Sequence, residues 1–238
     1  MKKLLVTDYD HTLLTEEREL LMTIPEIENF RNQGNVFVIA TSRSWSSIIQ
    51  EIDKYHIPFD YVCTNVGAGI FDEQGRKIYA QFISLEDKQK IETELTNIDT
   101  SLSVTRFGIE ESQNEESNQI IGYKIKGKPE QLMQLKERLS PVLSNFDLIL
   151  KKEEGKLFIN DAGNTKEKAI DHLLDLLQIP QDYVFTIGDD DVDLSMLERF
   201  HGYRMIESSD LIQEKIKNVV KSVRDIINYL SLSTSENR

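Results

Sequence analysis

Strand and helix signals alternate along the first third of the chain, and this order constrains the fold more than any other feature. Short apolar runs are followed by amphipathic segments, and the first helix segment carries Pro25, which suits a first helical turn. A strand–helix–strand–helix–strand order predicts a parallel sheet with helices on both faces. The predicted elements are a strand over 3–10, a helix over Ile24–Gln33, a strand over 35–42, a helix over 45–56 and a strand over 60–70.

The order changes after Ile83 and the first pattern returns near residue 154. Between these points two strands follow each helix, which is typical of a small α+β unit with an antiparallel sheet. We therefore predict an α/β fold, a doubly wound and mostly parallel sheet with a Rossmann-like core, interrupted by an inserted α+β domain. The expected core comprises residues 1–82 and 154–238, and the expected insertion residues 83–153.

Charge narrows the range of partners. The chain has 28 Lys and Arg against 41 Asp and Glu, a net charge of −13. Polyanions would be repelled, so we expect neither nucleic acid nor an anionic membrane as a partner, whereas a small phosphorylated ligand could bind in a locally positive pocket. Cys63 is the single cysteine and allows no intrachain disulfide, which favours a reducing cytoplasm.

Two groups of acids follow predicted strands. Asp8 and Asp10 come directly after the first apolar run, and residues two apart in a strand face the same side. Asp189 and Asp193 belong to a second cluster, four acids within five residues, which suits a hard divalent cation such as Mg²⁺. Each group has a simpler interpretation: a solvated strand end for the first, and an acidic helix start for the second.

A hydroxyl-rich turn follows the second predicted strand, and a lysine follows the predicted insertion. Thr41, Ser42 and Arg43 come after the second strand, where hydroxyls and free backbone N–H groups at a helix start can bind an anion. Lys166 lies at the start of a predicted helix, where its charge opposes the helix dipole unless it neutralises an anion. The alternatives are an ordinary N-cap and a solvated surface lysine.

The order of these four groups resembles that of the haloacid dehalogenase-like hydrolases, and is most similar to the Cof-type and sugar-phosphate phosphatase branch, in which a cap interrupts the core. The resemblance covers nearly the whole chain. It implies that Asp8 is the nucleophile, Asp10 the general acid and base, Thr41 a phosphoryl-binding hydroxyl with Ser42 and Arg43 beside it, and Lys166 the lysine that neutralises phosphate.

The resemblance also implies a Mg²⁺ site. Its ligands would come from Asp8, the Asp10 carbonyl and Asp189, with Asp193 as the second acid of the metal motif. Asn65 stands where the Cof-type branch has an asparagine near the substrate, although a simple turn residue before Gly67 explains it equally well.

Four positions depart from the family pattern. His11, Ser42 and Glu167 stand where the family commonly has glycine, and Val192 stands where many members carry asparagine. None of these changes removes a reacting group, so they bear on substrate identity rather than on the reaction class.

The resemblance implies a Mg²⁺-dependent phosphatase that hydrolyses a small phosphorylated metabolite, with a sugar phosphate favoured, through an aspartyl-phosphate. Two alternatives remain open: a phosphomutase on the same fold, and a non-catalytic phosphate-binding or metal-binding regulator similar to receiver domains, which are about half this length. Arg106, Lys124 and Lys126 of the insertion are candidate specificity residues, or simply exposed strand residues.

Overall fold

The computed structural model describes residues 2–96, 98–109 and 119–235. The chain divides into two compact units, one formed by residues 1–79 and 165–238 and the other by residues 80–164. The second unit is therefore an insertion into the first.

The larger unit is built on an eight-stranded sheet with the order β12-β11-β10-β1-β2-β3-β4-β5. The six strands from β12 to β3 run parallel, and β4 is antiparallel to β3. Every residue of β1 and β2 is buried, as expected for central strands covered on both faces. The strands are β1 (Leu4–Thr7), β2 (Val36–Ala40), β3 (Tyr61–Thr64), β4 (Gly69–Asp72), β5 (Lys77–Ala80), β10 (Val184–Gly188), β11 (His201–Met205) and β12 (Val219–Val220).

Helices cover both faces of this sheet. Alternate residues of each strand face opposite sides, so Leu5 and Phe37 belong to one core cluster and Leu4 and Val36 to another. The first cluster includes buried residues of α1, α2 and α8, and the second includes buried residues of α5, α6 and α7. These helices are α1 (Glu17–Asn32), α2 (Trp45–Tyr55), α5 (Lys166–Leu177), α6 (Leu194–Arg199), α7 (Asp210–Lys215) and α8 (Val223–Ser235).

The smaller unit is a four-stranded antiparallel sheet with two helices. Its strand order is β6-β7-β9-β8, and its core joins the buried side of the sheet, including Tyr123 and Ile159, to Ile91 and Leu132 of the helices. Its elements are α3 (Leu85–Thr96), β6 (Ser103–Phe107), β7 (Gly122–Lys126), α4 (Pro129–Leu139), β8 (Phe146–Lys151) and β9 (Lys156–Asp161).

The doubly wound, mostly parallel α/β fold is confirmed. The unit bounds differ from the predicted ones: the insertion extends to residue 164 instead of 153. The reason is β9, which pairs with both β7 and β8 and therefore belongs to the smaller sheet.

Two predicted elements have different limits. The first helix begins at Glu17 rather than Ile24 and contains Pro25 in its interior, because Leu20, Ile27 and Phe30 are all buried on one side of it. The predicted strand over 60–70 is broken by a tight turn, Asn65–Gly67, and forms the antiparallel pair β3 and β4. Local propensity did not predict either limit. Burial of one side of the segment extends the first helix, and positive φ values at Asn65–Gly67 break the predicted strand.

Within the described parts of the chain, no helix combines the length and apolar character needed to cross a bilayer.

Candidate active site

The site lies where the strand order reverses. β1 and β10 are parallel neighbours, but the chain continues from β1 toward β2 and from β10 toward β11, on opposite sides. Asp8 directly follows β1 and Asp189 directly follows β10, and the Asp8 N–H donates to the Ile187 carbonyl at 2.9 Å. The carboxyl ends of strands at such a switch point are where open α/β sheets bind ligands.

Lys166 joins two of the predicted acids. Its ammonium is fully buried and donates to one carboxylate oxygen of Asp8 and one of Asp193, both at 2.5 Å. Burial acts to lower the pKa of Lys166, but Asp193 and Asp8 outweigh it and raise that pKa above its ordinary value. The lysine is therefore a buried cation, and the surface-lysine interpretation is wrong.

Asp8 lies in an acidic and poorly hydrated environment. Burial raises the pKa of its carboxyl to about 7, against the opposing effect of Lys166, and the nearby charges of Asp193 and Asp189 raise it further. Burial and the neighbouring carboxylates together therefore outweigh the effect of the one ammonium on Asp8.

Asp193 has partners at both of its oxygens. Oδ1 accepts from Lys166, while Oδ2 accepts from the backbone N–H groups of Asp189 at 3.0 Å and Asp190 at 3.2 Å. These bonds fix the turn after β10 and hold the ammonium in place. The contacts give Asp193 a supporting position within the acidic cluster.

Asp189 is anchored by a residue that sequence reasoning did not single out. Thr12 Oγ1 donates to Asp189 Oδ1 at 2.5 Å, and both side chains are buried. Burial raises the pKa of Asp189, although this hydrogen bond opposes the shift. The only sequence signal for Thr12 is its position two residues after Asp10.

Carboxylate oxygens of Asp8, Asp189 and Asp193 lie within 4.8 Å of one another. Three clustered oxygen donors with an excess of negative charge are the kind of donor set that Mg²⁺ prefers. The residues present therefore fit a magnesium ion.

Asp10 stands apart from this buried cluster. Its side chain is 40% exposed, and both of its oxygens accept from the guanidinium of Arg43, at 2.6 and 2.8 Å. The next residue, His11, has a φ of 61°, a left-handed conformation that accounts for glycine being common at this position in the family it resembles. The chain thus turns sharply directly after Asp10.

The segment after β2 has one buried hydroxyl and one exposed hydroxyl. Thr41 is fully buried and its Oγ1 accepts from the Arg43 N–H at 3.1 Å, whereas Ser42 is exposed. Arg43 contacts Asp10 through its side chain and Asn65 through its backbone carbonyl, which accepts the Asn65 N–H at 2.9 Å. The structure therefore brings Thr41, Arg43, Asp10 and Asn65 together.

Asn65 occupies a tight turn that packs against the start of α5. Asn65, Val66 and Gly67 all have positive φ, a strained conformation for Val66 because its side chain is β-branched. The buried Asn65 Oδ1 atom and the buried hydroxyl of Thr64, which sequence reasoning did not mention, have no hydrogen-bond partner among the described residues. Unpaired buried polar atoms beside the site are available to a polar ligand.

The three candidate specificity residues lie in the smaller unit. Arg106 forms an ion pair with Glu92 at 2.8 Å, Lys124 is half-buried, and Lys126 is exposed. Their contacts within that unit assign none of them to a ligand.

A family model described as haloacid dehalogenase-like hydrolase matches residues 5–109 and 96–229. An uncharacterised protein of Mycoplasma capricolum is 23% identical over 236 residues, covering 84% of this chain and 89% of that protein.

Solved structures share the fold at low identity. A Thermotoga maritima protein aligns with a TM-score of 0.80 and 19% identity, covering 97% of each chain. A subclass IIB sugar phosphatase of the same superfamily aligns with a TM-score of 0.72 and 18% identity, covering 97% of this chain and 99% of that one. With the family model spanning most of its length and the acids, hydroxyl and lysine gathered at one sheet edge, the chain belongs to the haloacid dehalogenase-like hydrolases.

Proposed function

We propose that this protein is a Mg²⁺-dependent phosphatase that hydrolyses a small phosphorylated metabolite, with sugar phosphates the favoured class, through an aspartyl-phosphate on Asp8. One observation carries the proposal: the fully buried ammonium of Lys166 contacts the carboxylate at the end of β1. Family membership and the fold shared with a sugar phosphatase support it.

Charge explains why the lysine is needed. A phosphate monoester and the Asp8 carboxylate are both anions, and two unit charges about 4 Å apart repel by about 4 kcal/mol at an effective dielectric constant of 20. Lys166 lies 2.5 Å from Asp8 and can offset part of this repulsion as the substrate approaches. Asp193 and the backbone bonds it accepts keep the ammonium in that position.

Asp8 and Asp189 would hold the magnesium ion, together with the Asp10 carbonyl that the family resemblance implies. Asp193 would act behind them, because both of its oxygens already have partners. When bound, Mg²⁺ supplies positive charge that favours approach of the phosphoryl group to a carboxylate. The three buried carboxylates share only one ammonium, and this excess of negative charge supports the assignment.

Asp8 then attacks phosphorus, and Asp10 gives a proton to the departing alkoxide oxygen. Thr41 Oγ1 accepts from the Arg43 N–H, and its hydroxyl would donate to a phosphoryl oxygen. Asp10, now ionised, takes a proton from the water that cleaves the acyl phosphate. We assign substrate selection to the inserted unit, as a cap, and a polar contact near the phosphate to Asn65.

The test is a hydrolysis assay with p-nitrophenyl phosphate and a panel of sugar phosphates. We expect release of phosphate with Mg²⁺, loss of activity with EDTA, and recovery when Mg²⁺ is restored in excess. Asp8→Asn should be inactive toward every compound.

Three outcomes would contradict the proposal. Hydrolysis that continues in EDTA would show that Mg²⁺ is not required. Full activity of Asp8→Asn would show that Asp8 is not the nucleophile. A product that retains the phosphate on another hydroxyl, together with a requirement for a sugar bisphosphate, would indicate a phosphomutase.

A further inference from the structure

The Asp10 carboxylate is held by a residue from a different part of the sheet. Arg43 Nε donates to Asp10 Oδ2 at 2.8 Å and Arg43 Nη2 donates to Asp10 Oδ1 at 2.6 Å. This two-point contact fixes the plane of the carboxylate as well as its position. Each oxygen keeps a second lone-pair direction, so the pairing leaves Asp10 able to exchange a proton.

Arg43 is in turn held by two further residues. Its Nη1 lies 3.4 Å from Glu51 Oε1, and its guanidinium carbon lies 5.1 Å from the centre of the Tyr9 ring. The Tyr9 hydroxyl donates to the other oxygen of Glu51 at 3.2 Å. Tyr9, Glu51 and Arg43 therefore form a closed set of contacts around one side of Asp10.

Burial shows where this set is anchored. Tyr9 is fully buried in the core and Glu51 lies on α2, whereas the side chain of Asp10 is 40% exposed. Among these residues, Asp10 is therefore the one whose side chain is least restrained by packing. The contacts through Arg43 supply the restraint that packing does not.

We propose that Glu51 and Tyr9 are positioning residues, which hold Arg43 and through it keep the Asp10 carboxylate oriented for proton transfer. The inference rests on the proposed phosphatase function and assigns Arg43 to Asp10 rather than to the substrate. The rival interpretation, that Arg43 binds substrate directly, predicts a different kinetic effect.

The test compares two aryl phosphates of similar shape, p-nitrophenyl phosphate and phenyl phosphate. Phenolate is the poorer leaving group, so its departure depends more on a proton from Asp10. Full general acid catalysis is typically worth about 10²–10⁴-fold, and we expect Glu51→Gln to lose part of it: about tenfold in kcat/KM for phenyl phosphate and about twofold for p-nitrophenyl phosphate.

Tyr9→Phe keeps the aromatic ring and removes only the hydroxyl, so it provides a second variant if Glu51→Gln folds poorly. Tyr9→Phe should also lose more kcat/KM for phenyl phosphate than for p-nitrophenyl phosphate, but both losses should be smaller than those of Glu51→Gln. Asp53→Asn, an exposed acid on the same helix, makes the same charge change and should leave both rates unchanged.

The decisive comparison repeats Glu51→Gln in an Asp10→Asn background. If Glu51 acts through Asp10, Glu51→Gln causes almost no further loss of kcat/KM in the protein that already carries Asp10→Asn. An equal loss for both substrates, a loss that persists without Asp10, or a raised KM with unchanged kcat would overturn the inference while leaving the phosphatase proposal standing. Wild-type protein that hydrolyses neither phosphate with Mg²⁺ would instead overturn the proposed function, and the positioning role with it.

Discussion

Three carboxylates and one ammonium share the buried cluster formed by Asp8, Asp189, Asp193 and Lys166. Burying charges without full compensation costs free energy, so this arrangement opposes folding in the absence of a cation. Active sites commonly keep such groups at the expense of stability. Substitutions that remove one of the three carboxylates should therefore change stability and activity in opposite directions.

Asp8→Asn should stabilise the metal-free protein at high pH. The raised pKa, about 7, means that folded Asp8 holds its proton more tightly than the unfolded chain does. The stability that this pKa difference contributes is fully present below the pKa of Asp8 in the unfolded chain, near 4. It is lost as the pH rises through about 7, the pKa of Asp8 in the folded protein. In urea unfolding with EDTA present, the free energy of unfolding of Asp8→Asn minus that of wild type should increase by about 2 kcal/mol from pH 5 to pH 8. The same difference at both pH values would contradict the raised pKa.

Lys166→Met should have the opposite effect. It removes the cation and leaves Asp8 and Asp193 buried without it, which typically costs about 3–5 kcal/mol. Lys168→Met is the matched control, because Lys168 is exposed on the same helix and should change the free energy of unfolding by about 0.5 kcal/mol or less. Equal effects of the two substitutions, measured by urea unfolding at pH 8, would exclude a buried lysine.

At the scale of elements, the turn between β3 and β4 sets the position of α5. Gly67 has a φ of 96°, and a Cβ there would collide with the backbone carbonyl of Thr165, the residue directly before Lys166. Only glycine permits both the backbone angle and this approach. The turn and Lys166 are thereby linked through the backbone.

Gly67→Ala should therefore displace the start of α5 and reduce activity. Gly34→Ala is the control: Gly34 also has a positive φ, 84°, but has open space around its Cβ position. Strain alone costs about 1–2 kcal/mol, so Gly34→Ala should lose that much stability and keep its kcat. Gly67→Ala should lose more stability and at least part of its kcat. Matching losses in both variants would show that the contact with Thr165 does not matter.

The sequence predicted which residues lie together at the candidate site, because acids and a hydroxyl follow apolar runs and a lysine follows the insertion, in a fixed order. It could not predict side-chain pairings across the sheet. Asp10 and Arg43 are 33 residues apart in the chain, and the role of Glu51 depends on one face of α2. Likewise, β9 joined the smaller sheet through pairing with β7, which periodicity within β9 does not encode.

At the scale of the whole molecule, the fold places the proposed nucleophile and the proposed metal motif after adjacent parallel strands. Asp8 directly follows β1 and Asp189 directly follows β10, although about 180 residues separate the two acids in the chain. The inserted unit, residues 80–164, falls between these motifs in sequence without interrupting the sheet. In the proposed reaction, Asp8 takes up the phosphoryl group at this point of the sheet.

The most direct test is to trap that group on Asp10→Asn protein with p-nitrophenyl phosphate and Mg²⁺. The variant lacks the base for the second step, and p-nitrophenolate departs with little need for an acid, so the first step should proceed and the second should lag. We predict a stoichiometric burst of nitrophenol and, on rapid acid quenching and peptide mapping, an acyl phosphate on Asp8. A burst from Asp8→Asn protein, or a phosphoryl group found on another residue, would contradict the account.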